Sequence, residues 1–139
     1  MELVNTHRFQ VRFSEVDAMQ VVWHGNYLKY FEDGREAFGA QYGLKYLDVH
    51  QHGFFTPIVK TNVEYKYPLR YGDEGQVETR FINTRAAKIV FEYKVYNLKT
   101  KQLLVTGQTT QVFLTTDHQL QLVNPGFYIA WKEKWEQEY

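Results

Sequence analysis

Hydrophobic and polar residues alternate over Arg8–Phe13, with Phe9, Val11 and Phe13 on one side and Arg8, Gln10 and Arg12 on the other. A period of two marks a half-buried strand. The same period returns after Thr56-Pro57, where Val59, Thr61, Val63, Tyr65 and Tyr67 share a face and Lys60, Asn62, Glu64 and Lys66 share the opposite one. Pro68 and Tyr71-Gly72-Asp73 break that run. It returns over Gln76–Ile82, with Val77, Thr79 and Phe81 inward, and again through Ile89, Phe91, Tyr93 and Val95. Leu103–Leu114 reads as one more long strand, with Gly107 as a bulge or a point of close approach. Between the first and second of these runs the period changes. Gly25-Asn26 reads as a helix start with Asn26 as its cap, and Tyr27, Leu28, Phe31, Ala37 and Phe38 then form a stripe spaced for a helix over Tyr27–Tyr42. Gly34 and Gly39 are costly inside a helix, so they point to close approach against a sheet or a second helix, and Gly43 supplies a stop. Asp48–Phe55 reads as a loop, and Asn97–Lys101 as a turn. Asn124-Pro125 opens a short helix carrying Phe127, Trp131 and Trp135.

The expected order is strand, long helix, four strands, short helix. That is an α+β chain whose antiparallel sheet covers one face of the helix, read as one domain over residues 1–139.

Composition narrows the function. The chain has 139 residues, 44% apolar and 23% charged, with 16 Lys plus Arg balancing 16 Asp plus Glu. Charge neutrality argues against a general nucleic-acid binder. There is no cysteine, which removes disulfides, thiolate nucleophiles and thiolate metal sites. The longest apolar run, Phe127–Trp131, is too short to insert in a membrane. The polar, alternating N-terminus does not read as a secretory signal, so a cytoplasmic location is expected.

Five histidines are present, and only His50 and His52 lie close together. They lack a third ligand at a metal-binding spacing, so no metal site is expected. Nucleophile-elbow, phosphate-loop and dinucleotide motifs are missing as well. What remains is the irregular segment SEVDAMQVVWHGN. Asp17 there is followed by Met19, Val21, Val22 and Trp23, which exclude water, and the segment runs straight into the helix start. A carboxylate so placed can serve as a base or a nucleophile, and free N–H groups at a helix start suit developing negative charge. On spacing alone, an ordinary turn aspartate remains the competing reading.

The run RFSEVDAMQVVWHGNYLKYFEDGRE, together with the later TPIV at Thr56–Val59, resembles the hotdog-fold acyl-CoA thioesterases of the 4-hydroxybenzoyl-CoA thioesterase type. The spacing of the remaining strands fits along essentially the whole chain. The resemblance implies a hotdog fold: about five antiparallel strands wrapped around one long central helix, plus the short C-terminal helix. It implies hydrolysis of acyl-CoA to free acid and CoA without a metal or organic cofactor, with Asp17 as nucleophile or general base. The main-chain N–H groups near His24 and Gly25 would polarise the carbonyl. Trp23, Asn26, Tyr27 and Thr56 would line the substrate site, and Arg85 and Lys88 would meet the CoA phosphates. Glu32 and Arg35 are spaced to pair on the helix surface. Members form homodimers or homotetramers with sites at the subunit boundary, and a long strand such as Leu103–Leu114 would otherwise leave an edge open. A hotdog dehydratase would carry HFPxxPxxPG, which is absent, and a non-catalytic thioester sensor is the alternative from another class. One departure stands out. The family usually has Gly three positions after the aspartate, and this chain has Gln20, which must bear any positive φ there.

Overall fold

The computed structural model describes residues 1–138. A strand β1 (Val4–Gln10) leads through a single 3-10 turn at Phe13–Glu15 and an irregular loop into the long helix α1 (Asn26–Tyr42). A six-residue helix α2 (Tyr46–Gln51) and a two-residue strand β2 (Phe54–Phe55) follow. Then come β3 (Ile58–Tyr65), β4 (Glu74–Ile82), β5 (Lys88–Asn97), β6 (Leu103–Val112), a two-residue β7 (Leu114–Thr115) and α3 (Gly126–Lys134). Five strands form one antiparallel sheet in the order β1-β4-β5-β6-β3, while β2 and β7 pair separately.

The sheet buries one side of each central strand against α1. Val77, Thr79 and Phe81 on β4 and Ile89, Phe91, Tyr93 and Val95 on β5 are all buried, as their period of two requires. The helix returns Tyr27, Tyr30, Phe31 and Phe38, each worth roughly 2 kcal/mol or more of burial. Phe31 stacks on Tyr93 at 4.4 Å. That stack needs Gly107, where a Cβ would lie 2.4 Å from the Phe31 ring; Gly34 instead lets α1 approach β4, where a Cβ would lie 2.5 Å from Thr79 Oγ1. Gly43 ends α1 at φ 80°, and the indole N–H groups of Trp131 and Trp135 both donate to the Tyr42 carbonyl, at 2.8 and 2.9 Å. α3 and the residue after it therefore clamp the last turn of α1.

Several expectations need correction. Strand β1 ends at Gln10, so Phe13 leaves the buried face and is 77% exposed in the turn that follows. The segment read as a loop over Asp48–Phe55 holds most of α2 and all of β2. Asp48 accepts the Lys45 N–H at 2.8 Å and so starts that short helix. Gly39 packs against the chain folding back at Leu44, whose carbonyl oxygen would be 2.6 Å from an added Cβ, and not against the sheet. In α3 the cap is Pro125, with the helix starting one residue later. The largest difference is β3. The face shared by Val59, Thr61, Val63 and Tyr65 is not a core face: within β3 only Val63 is half-buried, and Val59 and Tyr65 are 59% and 49% exposed. β3 is an edge strand, and α1 packs mainly on β1, β4 and β5, meeting β3 at its end, where the Tyr27 and Tyr65 rings lie 5.6 Å apart. No helix among the described residues is long and apolar enough to cross a membrane.

Candidate active site

The loop between the 3-10 turn and α1 is tied down by its own backbone. The Asp17 N–H donates to the Val21 carbonyl at 2.9 Å, and the Gln20 N–H donates to the Asp17 carbonyl at 2.9 Å. The Met19 N–H reaches back to Asp17 Oδ1 at 2.8 Å. This closes a tight turn that holds the half-buried Asp17 carboxylate by one oxygen. The turn requires a left-handed residue, and Gln20 supplies it at φ 65°, the strain expected where Gly is absent. Beyond the turn, the Val22 N–H donates to Leu69 O at 2.8 Å and the Trp23 N–H to Glu15 O at 2.9 Å, so the loop is stitched to the chain on both sides.

Asn26 was expected to cap α1. The cap is Gly25 instead, and Asn26 is the first helical residue. Its buried side chain donates to the Glu15 carbonyl at 2.8 Å and ties the helix start to the loop. Glu15 also takes the Tyr30 hydroxyl at 3.0 Å, and burial with the adjacent carboxylate pushes that phenol's pKa up. No side chain caps α1, and among the described residues no backbone carbonyl accepts from the N–H of His24 or Gly25. Those donors and the positive end of the helix dipole stay available to an anion.

Asp17, His24, Tyr27, Met19, Tyr65 and Tyr67 line one cavity of about 220 Å³. Tyr27 is buried, and its hydroxyl accepts the Leu69 N–H at 2.9 Å, so it forms a fixed wall. Tyr65 donates its hydroxyl to the His24 carbonyl at 3.0 Å and bridges the end of β3 to the helix start. The His24 ring lies between Trp23, at 4.9 Å, and Tyr65, at 6.2 Å. Trp23 is half-exposed and folds over Gly25, where a Cβ would meet its ring at 2.2 Å; it covers the helix start from outside and does not line the cavity.

The other expected site residues lie elsewhere in a single copy. Thr56 lines a different cavity at the start of β3, where its carbonyl accepts Gln111 Nε2 at 2.7 Å. Arg85 and Lys88 flank the β4–β5 turn, and Arg85 is ion-paired with Glu138 at 3.3 Å. Asp17 sits near the other end of β4, because Val21 bridges to Arg70 just before that strand begins. The nine residues of β4 separate the two ends by roughly 26 Å. Arg35 forms no ion pair with Glu32 among the described residues, contrary to the surface pair expected. Tyr65 and Tyr67 were placed on one face of a strand without a site role and are cavity walls; their signal was an aromatic pair where that strand runs out. His50 and His52 pack on Phe55 and Phe127, at 5.2 and 4.6 Å.

A single long helix laid on five antiparallel strands, with an acid held at the helix start, defines the class: this is the hotdog fold. The sequence pattern of the thioesterase-like superfamily matches residues 11–128, and the chain belongs to that superfamily. It is 37% identical over 94 residues to YneP of Bacillus subtilis (strain 168), provisionally described as an acyl-CoA thioesterase, covering 68% of each protein. It superposes on the DHNA-CoA thioesterase of Staphylococcus aureus with a TM-score of 0.85 at 26% identity, over 96% of this chain and 91% of that one. A 4-hydroxybenzoyl-CoA thioesterase variant complexed with 4-hydroxybenzoyl-CoA gives 0.80 at 23% identity, over 93% and 98%, a likeness of fold.

Proposed function

We propose that the protein hydrolyses acyl-CoA thioesters, with Asp17 as the reacting carboxylate, and that it works as a homodimer or a pair of dimers. The observation that carries the reading is a half-buried carboxylate sharing an aromatic-walled cavity with the uncapped N-terminus of α1. As a nucleophile attacks the thioester carbonyl, negative charge gathers on the carbonyl oxygen. The His24 and Gly25 N–H groups can donate to it; one such donor is worth about 3 kcal/mol in other enzymes. In the general-base route Asp17 takes a proton from water, the new C–O bond forms, the C–S bond breaks and the proton passes to the leaving sulfur. In the nucleophilic route Asp17 forms a mixed anhydride, which water then opens. Both routes consume one water and release CoA thiol, and neither calls on a metal or organic cofactor. A cytoplasmic enzyme fits a CoA-linked substrate.

The dimer follows from β3. An edge strand eight residues long, exposed on both faces, invites pairing. Two copies related by a twofold axis normal to the sheet pair β3 antiparallel to β3. The start of β3 in one copy then lies beside the end of β3 in the other, where Tyr65 walls the Asp17 cavity. Thr56, Arg85 and Lys88 of the second copy come to the same end of the joined sheet as Asp17, which accounts for their separation in one chain.

The test is release of free thiol from a panel of short, long and aromatic acyl-CoAs, with acyl-carrier-protein thioesters beside them. Turnover of at least one acyl-CoA is expected. Binding across the panel without thiol release would replace the enzyme by a thioester sensor. Light scattering at micromolar concentration is expected to give a dimer or tetramer mass, and a monomer mass would remove the composite site.

A further inference from the structure

Tyr65 takes no part in either route above, yet it is held as if it had one. It is the last residue of β3, paired with Val105 on β6. The N–H groups of Lys66 and Tyr67, the next two residues, both donate to the Leu104 carbonyl, at 2.8 and 3.1 Å. Its ring meets the buried Tyr27 ring at 5.6 Å. The sheet and the helix thus fix the ring, although it is 49% exposed and lines the Asp17 cavity. Its hydroxyl donates to the His24 carbonyl at 3.0 Å. The Tyr27 N–H also approaches that oxygen, but at 3.4 Å it is long for an N–H donor. The phenol is therefore the main anchor of the His24 carbonyl.

A phenol has one proton to give. Committed to His24, it is not available to a substrate oxygen, so Tyr65 is not itself a donor to the developing charge. What it holds is a peptide unit. The His24 carbonyl and the Gly25 N–H belong to one planar amide and point to opposite sides of it. Fixing the carbonyl fixes the direction of the N–H, which no side chain or backbone carbonyl accepts among the described residues. A hydrogen bond to the carbonyl also polarises the amide and makes its N–H a stronger donor. We infer that Tyr65 is a positioning residue for thioester hydrolysis, acting through the His24 carbonyl to aim and polarise the Gly25 N–H. The inference rests on the thioesterase reading of Asp17 and the start of α1. Tyr65 touches none of the reacting atoms.

Tyr65→Phe keeps the ring and its contact with Tyr27 and removes only the hydroxyl. With the best acyl-CoA of the panel, kcat is expected to fall about tenfold, part of the roughly 100-fold or more that losing a whole donor costs. KM should stay near the parent value, because the donor acts on charge that develops only in the transition state. The second readout needs no turnover. The same acyl-CoA, labelled with carbon-13 at the thioester carbonyl, is bound to Asp17→Asn and its carbonyl stretch is recorded by infrared difference spectroscopy. A hydrogen bond to that oxygen lowers the stretching frequency, so adding Tyr65→Phe to Asp17→Asn is expected to raise it. A kcat equal to the parent's, a loss confined to KM, or a carbonyl band that does not move overturns the inference. Thiol release by the parent that disappears in Asp17→Asn keeps the thioesterase reading even then. A parent that releases no thiol from any acyl-CoA overturns both.

Discussion

Gln20 probes the geometry of the Asp17 turn without touching its chemistry. The residue sits at φ 65°, and its side chain is exposed. Substitution there removes no packing and changes little but the backbone energy. A residue with a Cβ in the left-handed region is strained by roughly 1 kcal/mol, and a β-branched one by more. Gln20→Gly relieves that strain but gives back part of it, because the unfolded chain gains freedom. The net expectation is a stabilisation of about 0.5 kcal/mol for Gln20→Gly and a loss of about 1–2 kcal/mol for Gln20→Val. In a domain of this size 1 kcal/mol moves Tm by about 3 °C. Thermal unfolding followed by circular dichroism, at one fixed protein concentration because the proposed dimer would melt by mass action, should rank Gly above Gln above Val. The Val variant should also lose kcat, since the Met19 N–H that holds Asp17 Oδ1 lies next to the strained position. Glycine and valine variants that melt together would show that residue 20 is not held left-handed and that the carboxylate is aimed some other way.

Two further outcomes follow from the packing and from burial. Gly34→Ala places a Cβ 2.5 Å from Thr79 Oγ1 and 3.0 Å from a Val77 methyl, both on fully buried side chains. Overpacking of about 1–3 kcal/mol then outweighs the ~1 kcal/mol that alanine brings to a helix. A lower urea midpoint is expected, and a higher one would contradict the close approach of α1 to β4. Burial pushes the phenol pKa values of Tyr27, Tyr30, Tyr93 and Tyr128 up from 10.0. The folded state therefore keeps protons that the unfolded chain loses. Stability from these groups is complete below pH 10 and declines as the pH rises above it, because the unfolded chain gives up its phenol protons first. Lys132 acts oppositely: burial pushes its pKa down from 10.5, so its share of stability rises with pH up to that value. Four phenols against one amine give a net decline, and urea midpoints that stay level from pH 10 to pH 11 would contradict it.

The elements legible in the sequence were those whose burial is decided inside one copy. β4 and β5 lie under α1, and their alternation translated directly into buried and exposed positions. β3 carries an equally clean alternation, but it is an edge strand and its residues are largely exposed, so its pattern does not describe the core of this chain. The short α2 stayed hidden because six residues show less than two turns of periodicity. On spacing alone Asp17 was no more than a turn aspartate ahead of a helix start; it stood out through the resemblance of its segment to the thioesterase motif. The positive φ at Gln20 was legible through the same resemblance, because the family usually has Gly at that position. Thr56, Arg85 and Lys88 were grouped with Asp17 through the resemblance, but one chain holds them at the opposite end of the sheet; the proposed antiparallel pairing of two copies is what would bring them together. Arg35 was misread because a helix surface spacing says nothing of how deep the neighbouring strand lets the side chain sink.

The central claim is that the Asp17 carboxylate does the chemistry at the start of α1. Its most direct test is the rate of thiol release by Asp17→Asn, with the best acyl-CoA of the panel and enzyme in excess. Asparagine preserves the size of the side chain and the acceptor for the Met19 N–H, so the turn should survive. A fall of about 100-fold or more, with substrate still bound, is the expected result. A variant that releases thiol as fast as the parent would contradict the account.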